Sequence, residues 1–240
     1  MKDVNVDYLN ALDVFKKKLA QFGLTGEQLN TFVNFSMSIQ RLCGVINLTS
    51  LKSNEDFAVK HFADSLLSSP CVTSGTLIDI GCGAGFPGIP LAVANDKLHV
   101  TLLDSSKKKI DFLASSVKDL EIKNCSCVVG RAETLGRHTS FREQFNFVTM
   151  RAVASLRILI ELAMPFLFVG GKLIAYKSAN VDSEILDAKN TLSALNCEIE
   201  SVPQFTLDGR YSRSLILIVK KQHTSSEFPR AFNKMKSAPL

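Results

Sequence analysis

The first seventy residues carry apolar positions at helical spacing. Over residues 8–22, leucine and phenylalanine recur every three or four positions with lysines between them, which indicates an amphipathic helix. A second pattern of this kind covers 25–41, beginning at Thr25, a residue that can cap a helix, and a third covers 54–67 after Ser53. We therefore expect residues 1–70 to form a helical cap that packs on the rest of the chain.

Beyond residue 70 the pattern changes to short apolar runs that alternate with amphipathic stretches. Such alternation favours parallel strands joined by right-handed helical crossovers. The runs predict strands over residues 76–80, 98–104, 125–129, 145–150 and 172–176, and helices over residues 88–94, 107–120 and 156–168.

The last part of the pattern predicts a hairpin. After a helix over 182–195, apolar runs at 198–205 and 212–219 flank Asp208-Gly209, a pair typical of tight β-turns. The sheet is thus expected to end in an antiparallel strand. Five parallel strands followed by a hairpin make a seven-stranded α/β sheet, with the main domain over 71–222.

A glycine-rich loop follows the first predicted strand, in the sequence LIDIGCGAGFPGIP at 77–90. Gly81, Gly83 and Gly85 allow tight turns and close approach of a ligand to the backbone. A dinucleotide fingerprint requires G-x-G-x-x-G, but Phe86 occupies the place of its last glycine. The pattern D-x-G-x-G-x-G instead resembles the cofactor loop of class I, Rossmann-like S-adenosylmethionine-dependent methyltransferases. A purely structural turn is the alternative.

Composition limits the classes of protein to be considered, but it does not define the function. The 240 residues are 46% hydrophobic and carry a formal net charge of +5, which suits a polyanionic partner. The six cysteines form no C-x-x-C pair and no cluster with histidine, so neither a disulfide framework nor a metal site is supported. The N-terminal residues lack a signal-peptide pattern, and no apolar run is long enough for a membrane span. We expect a cytoplasmic protein without a metal; a monomer is compatible with the sequence, which leaves the oligomeric state open.

Two acidic residues are expected at one edge of the sheet. Asp104 ends the second strand, where a carboxylate can accept hydrogen bonds from the ribose hydroxyls of a nucleoside; capping of the next helix is the alternative. Glu133 follows the third strand in Gly130-Arg131-Ala132-Glu133, where backbone groups can contact an adenine and Glu133 can favour the helix N-terminus.

The end of the fourth strand argues against two chemistries. The sequence there, MRAVAS at 150–155, lacks the Asn/Asp-Pro-Pro-aromatic motif of enzymes that methylate exocyclic adenine nitrogens. It also lacks the cysteine nucleophile that methylation of cytosine C5 requires near this strand.

A set of longer motifs resembles one family. The motifs are Asn47-Leu48-Thr49, His61 with Asp64-Ser65-Leu66, GCGAGFPGIP at 81–90, Leu103-Asp104-Ser105, Arg131-Ala132-Glu133, Arg151-Ala152 and Tyr176-Lys177. In the order and spacing of these motifs, over roughly residues 45–220, the chain resembles the RsmG family, also called GidB.

The resemblance implies a set of site residues. No residue is assigned as a catalytic acid or base, and Arg151 and Lys177 are candidates for a positioning role. Arg151 can pair with the cofactor carboxylate, with RNA phosphate or with an acidic neighbour, and His61 can alternatively be a hydrogen-bonded helix residue. The cofactor-binding residues implied by the family are Gly81, Phe86, Ala132, Glu133 and Arg151, to which the loop and sheet geometry adds Gly83, Gly85 and Asp104. The substrate-side candidates are Asn47, His61 and Lys177.

The resemblance also implies an activity: methyl transfer from S-adenosylmethionine to N7 of a guanosine in the decoding-region loop of bacterial 16S ribosomal RNA, either free or in the small subunit. Guanine N7 has a lone pair and no proton, so attack on a methyl group needs no general base. Orientation of the two reactants can contribute about 7–11 kcal/mol. The alternatives are a small-molecule methyltransferase and a non-catalytic RNA-binding assembly factor that keeps the fold.

The C-terminal segment is basic. Residues 209–240 contain seven lysines and arginines against one acid, Glu227, with Phe228 and Phe232 interleaved. Residues 223–240 are predicted as a basic tail, for which RNA binding and solvated disorder are both open.

Overall fold

The computed structural model describes residues 2–42 and 53–240. The motif Asn47-Leu48-Thr49, and with it the candidate substrate residue Asn47, lies outside the described residues. Helices α1 (Lys2–Lys18) and α2 (Gly26–Leu42) form an antiparallel pair at the start of the chain. Thr25 caps α2 as predicted: the amide of Gln28 donates to Thr25 Oγ1 over 3.2 Å, and Gln28 Oε1 accepts from the amide of Thr25 over 2.9 Å.

The third helix, α3, contains a π-helical segment. It comprises α-helical Asn54–Asp56, π-helical Phe57–Ala63 and α-helical Asp64–Leu66, and Ser53 caps it by accepting from the amide of Asp56 over 3.1 Å. The wider turn of a π-helix is often found at functional sites. Here the segment contains one of the candidate substrate residues, His61.

The sheet has eight strands rather than the predicted seven. Strands β1 to β5 are mutually parallel where they pair, and the order across the sheet is β3-β2-β1-β4-β5-β8-β6, with β7 also paired to β8. The strands are β1 (Gly75–Ile80), β2 (Leu98–Asp104), β3 (Cys125–Val129), β4 (Phe145–Arg151), β5 (Leu167–Ser178), β6 (Cys197–Ser201), β7 (Gln204–Leu207) and β8 (Tyr211–Lys220).

Proline explains two differences from the predicted strands. The run at 198–205 is one predicted strand, but Pro203 lacks an N–H group and separates β6 from β7, both of which pair antiparallel with β8. The predicted helix over 156–168 ends early because Pro165 lies in the 3₁₀ turn Met164–Phe166, and β5 then begins at Leu167 rather than at residue 172.

Helices cover both faces of the sheet. The predicted helix over 182–195 is interrupted at Ala188 and forms two short helices. Following α3, the helices are α4 (Gly88–Ala94), α5 (Lys107–Asp119), α6 (Ala132–Leu135), α7 (Leu156–Ala163), α8 (Asp182–Asp187), α9 (Lys189–Ala194) and α10 (Phe232–Ser237). No helix formed by residues 2–42 and 53–240 is long and apolar enough to cross a membrane.

Two buried apolar clusters hold these layers together. One contains Phe15, Phe32 and Phe62 of the N-terminal helices together with side chains of β1 and β2, so the N-terminal helices share a core with the sheet. The ring centroids of Phe15 and Phe32 lie 5.0 Å and 4.7 Å from that of Phe62. The second cluster, on the other face, includes α7 and the C-terminal residues Phe228 and Met235. The C-terminal segment is therefore folded onto the domain.

Candidate cofactor site

A cavity of about 270 Å³ opens at the carboxyl ends of β1 to β4. This edge is where doubly wound α/β proteins bind ligands, because loops diverge there and leave backbone groups exposed. The residues that line the cavity are Ile80, Gly81, Leu103, Asp104, Ser105, Gly130, Arg131, Ala132, Glu133, Ala152, Val153, Leu162 and Phe232.

Asp104 connects the glycine loop to the next helix. Its Oδ2 accepts a hydrogen bond from the amide of Gly83 over 3.0 Å, and its Oδ1 accepts from the amide of Ser106, the N-cap residue of α5, over 2.8 Å. The carboxylate also lines the cavity. The carboxylate thus joins the glycine loop to the residue before α5 and lines the cavity, and its contact with a ribose stays a prediction.

A second aspartate, Asp79 in β1, holds the end of the same loop, where α4 begins. Its carboxyl group is fully buried, accepts from the amide of Gly88 over 2.9 Å and from the hydroxyl of Thr149 over 3.0 Å, and so joins β1, β4 and the start of α4. Burial raises the pKa of Asp79 to about 7. Gly88 is required here because a Cβ atom would lie 2.3 Å from Leu102 Cδ2.

Four of the predicted cofactor residues line the cavity, and four do not. Gly81, Asp104, Ala132 and Glu133 line it. Gly83 adopts φ +57° in the turn of the loop, and its amide donates a hydrogen bond to Asp104. Gly85, at φ +94°, packs on the apolar core, and a Cβ atom there would lie 2.9 Å from Leu113 Cδ2. The remaining two, Phe86 and Arg151, belong to a neighbouring cluster.

Arg151 pairs with an acidic neighbour, the third of the three alternatives open for it. Its Nη1 donates to Asp64 Oδ2 over 2.9 Å and to the carbonyl of Lys60 over 3.2 Å. The other carboxylate oxygen of Asp64 accepts from Arg213 Nε over 2.9 Å. The guanidinium carbon of Arg151 lies 5.5 Å from the ring centroid of Phe86. The carboxylate of Asp64 therefore connects α3 to β4 and β8.

His61 stacks on Phe86 beside this ion pair. The two ring centroids are 4.5 Å apart with an interplanar angle of 13°. Arg151 Nη2 lies 3.2 Å from His61 Nδ1, and because a guanidinium can only donate, Nδ1 accepts and the ring proton resides on Nε2. Burial, together with the charge of Arg151, lowers the pKa of His61 to about 3. The imidazole is therefore neutral at physiological pH.

Lys177, at the end of β5, holds the loop after β4. Its Nζ donates to Glu184 Oε2 over 2.6 Å and to the carbonyl of Ala154 over 2.9 Å, and Glu184 Oε2 also accepts from the amide of Leu156 at the start of α7. The Lys177 side chain is only 10% exposed. These contacts give Lys177 a structural role in shaping the cavity wall.

Several residues that line the cavity were not among the site residues predicted from the sequence. Ala152 adopts φ +56°, an unusual conformation for a residue other than glycine, and Val153 Cγ2 lies 2.8 Å from where a Cβ atom of Gly81 would be. Phe232 reaches the cavity from the C-terminal helix, far along the chain from the other lining residues. Among residues 2–42 and 53–240, no group of three or more His, Cys, Asp or Glu side chains is arranged to hold a metal ion.

The strand order, the glycine loop after β1 and the carboxylate after β2 define a class I methyltransferase fold. Solved structures agree at the level of the fold. A predicted O-methyltransferase from Agrobacterium tumefaciens superposes with a TM-score of 0.52 at 21% identity, covering 66% of this chain and 81% of that one. TYW2 from P. horikoshii superposes with a TM-score of 0.54 at 14% identity, covering 68% and 63%.

Sequence comparison identifies the family. The model of GidB, described as rRNA small subunit methyltransferase G, matches residues 28–216. Proteins named ribosomal RNA small subunit methyltransferase G are 34% identical over 98% of this chain and 100% of the protein in Clostridium kluyveri, and 40% identical over 95% and 92% in Lachnoclostridium phytofermentans. The chain belongs to the GidB family, which confirms the resemblance drawn from its motifs.

Proposed function

We propose that this protein transfers a methyl group from S-adenosylmethionine to N7 of a guanosine in the decoding-region loop of bacterial 16S ribosomal RNA. The observation that carries the proposal is the cavity at the ends of β1 to β3, lined by Gly81, Asp104 and Glu133, in a chain of the GidB family. Ribosomal RNA or the assembled small subunit is the partner we propose, and the cytoplasm is the location.

The lining residues fit this cofactor. The Asp104 carboxylate, after the second strand, suits the ribose hydroxyls, and the backbone of Ala132 and Glu133, after the third strand, suits the adenine edge. The loop at Gly81 leaves room for the amino-acid portion. Arg131 pairs with Glu133 over 3.0 Å, which leaves the Asp104 carboxylate as the negative group of the lining that has no cationic partner in it. That charge suits S-adenosylmethionine, which carries a positive sulfonium.

The chemistry needs positioning rather than proton transfer. S-adenosylmethionine supplies an electrophilic methyl group. The N7 lone pair forms the new C–N bond while the C–S bond breaks. The electrons of the broken bond stay on sulfur, and the purine gains the positive charge. Because N7 carries no proton, no base is required. Neutral His61 stacked on Phe86, with Arg151 paired to Asp64, provides a rigid polar wall beside the cavity.

An acceptor competition distinguishes this proposal from its alternatives. The purified protein is incubated with methyl-labelled S-adenosylmethionine and a mixture of unmethylated small-subunit RNA and a small-molecule extract. We expect label in the RNA fraction alone. Label confined to small molecules would favour a small-molecule methyltransferase, and cofactor binding without transfer would favour a non-catalytic assembly factor.

A further inference from the structure

We propose that Phe232, in the C-terminal segment, is a cofactor-contact residue that forms the outer wall of the adenine subsite. This inference rests on the proposed function, because it assigns one end of the cavity to the base of S-adenosylmethionine. Phe232 begins α10 and lines the cavity together with Gly130, Arg131 and Glu133, residues that follow β3.

The order of the strand ends assigns this end of the cavity to the base. The lining runs from Gly81 after β1, past Asp104 after β2, to Gly130–Glu133 after β3, which is the edge strand of the sheet. With the ribose hydroxyls at the Asp104 carboxylate, the base lies on the β3 side, where Phe232 is. The Arg131 guanidinium carbon lies 5.8 Å from the Phe232 ring centroid, so the wall combines an aromatic ring with a cation.

Two arginines fasten the segment that carries Phe232. Arg142 and Arg137, which lie between α6 and β4, donate six hydrogen bonds of 2.6–3.0 Å to backbone carbonyl groups of this segment, and Arg142 donates one more to Gly136. Arg142 donates to Gly136, Thr224, Ser225 and Phe228, and Arg137 donates to Ser226, Glu227 and Pro229. Because the acceptors are main-chain groups, these bonds fix the path of the segment itself.

A buried ion pair fixes α10 directly beside the cavity. Glu161 of α7 is 2% exposed and accepts from Arg230 Nε over 2.7 Å and from Arg230 Nη2 over 2.6 Å. Arg230, two residues before α10, also donates from Nη1 to the carbonyl of Ala238, directly after the helix, over 3.0 Å, and Met235 within the helix is buried. These contacts hold the Phe232 ring at the cavity before any ligand arrives, which favours binding through preorganisation.

Calorimetric titration of the full chain with S-adenosylhomocysteine and with 5′-methylthioadenosine, in the absence of RNA, tests the inference. We expect Phe232→Ala to raise both Kd values by about tenfold, since aromatic contacts with a base are commonly of this size. Phe232→Tyr retains the ring and is expected to stay within about twofold of the wild type. The matched control is Lys234→Ala, an exposed residue of the same helix.

Nuclear Overhauser spectra of protein with labelled phenylalanine give a second measurement that does not depend on a variant's folding. We expect contacts between the adenine H2 or H8 proton of bound S-adenosylhomocysteine and the Phe232 ring. Binding by the wild type with an unchanged Kd for Phe232→Ala, or the absence of these contacts, would overturn this inference alone. Failure of the wild type to bind would overturn the proposed function and this inference together.

Discussion

Asp104 contacts both the backbone and the cavity that we assign to the cofactor. Its two oxygens accept from the amides of Gly83 and Ser106, which fixes the glycine loop relative to α5, and the same carboxylate lines the cavity. Alanine at this position would lose both the contact to the loop and the acceptor for a ribose. We therefore expect its effect to include weaker binding of the cofactor.

We predict that Asp104→Ala weakens binding of S-adenosylmethionine by at least about tenfold, because hydrogen bonds to a charged group contribute about 1.5–3 kcal/mol each. Calorimetric titration measures the change. Asp96→Ala is the matched control, since Asp96 is exposed in the turn that precedes β2, at the opposite edge of the sheet. Equal affinities for the two variants would contradict the assignment of Asp104.

His61 makes stability depend on pH. Its pKa is lowered from 6.5 to about 3 in the folded protein by burial and by Arg151, so below pH 6.5 the unfolded chain takes up a proton that the folded protein does not. This group therefore lowers the free energy of unfolding as the pH falls from about 6.5 toward 3. Asp79, whose pKa is raised to about 7, acts in the opposite direction, so a variant is needed to separate the two.

We predict that lowering the pH from 7 to 5 reduces the free energy of unfolding of the wild type by about 2 kcal/mol more than that of His61→Gln, which cannot titrate. Urea denaturation followed by far-ultraviolet circular dichroism measures both proteins, since the chain has no tryptophan. Parallel pH dependences would show that His61 is not held neutral.

Single side chains were predictable where a motif carries them. Asp104 and Gly81 follow directly from a strand end and a glycine loop, and both line the cavity. Arg151 lies at the predicted strand end, but the sequence left three partners open because Asp64, the one it contacts, lies on helix α3, 87 residues earlier in the chain. The sequence showed Phe232 only as part of a basic segment, because the neighbouring residues do not indicate which surface of the domain it packs on.

The C-terminal segment is held by Arg142 as well as by its own buried side chains Phe228 and Met235. Arg142 donates to the carbonyls of Thr224, Ser225 and Phe228, and no regular spacing in the segment encodes these contacts. The sequence therefore left open whether this segment is disordered or binds RNA. That it packs on the domain is seen only in the folded structure. The strands, by contrast, depend on local apolar runs, and 98–104 and 125–129 were predicted to the residue.

We predict that Arg142→Ala increases amide hydrogen exchange over residues 224–235 by at least about tenfold and lowers the free energy of unfolding by about 2–3 kcal/mol, because it removes charge-assisted hydrogen bonds to carbonyl groups that are mostly half-buried. Mass spectrometry of exchanged peptides measures the first effect. Arg157→Ala is the control, since among the described residues Arg157 has no hydrogen-bond or ion-pair partner. Unchanged exchange in Arg142→Ala would contradict the fastening role.

Positive groups cluster at the same edge of the sheet as the cavity. Lys60 Nζ lies 4.9 Å, and the Arg210 guanidinium carbon 5.5 Å, from the ring centroid of Tyr211, the first residue of β8. An aromatic ring between two cations suits an unpaired base with its phosphates. Lys60 also pairs with Asp56, and Arg210 with Asp208, so RNA phosphates would compete with these two carboxylates. We propose this group of side chains, beside the carboxyl end of β5, as an RNA contact.

We predict that Lys60→Ala with Arg210→Ala weakens binding of a decoding-region RNA fragment and reduces the slope of log K against log salt by about one per contact removed, with cofactor affinity unchanged. Fluorescence anisotropy at several salt concentrations measures both quantities. The control pair is Lys97→Ala with Lys123→Ala, exposed lysines at the opposite edge of the sheet. The same loss of affinity in both pairs would indicate nonspecific attraction only.

The most direct test of the whole account is nucleoside analysis of 16S ribosomal RNA after unmethylated small subunits are incubated with this protein and methyl-labelled S-adenosylmethionine. Membership of the GidB family, together with a cavity at the strand ends that suits S-adenosylmethionine, predicts label in 7-methylguanosine, at one position in the decoding-region loop. Label in another nucleoside, or no transfer although the cofactor binds, would contradict the account.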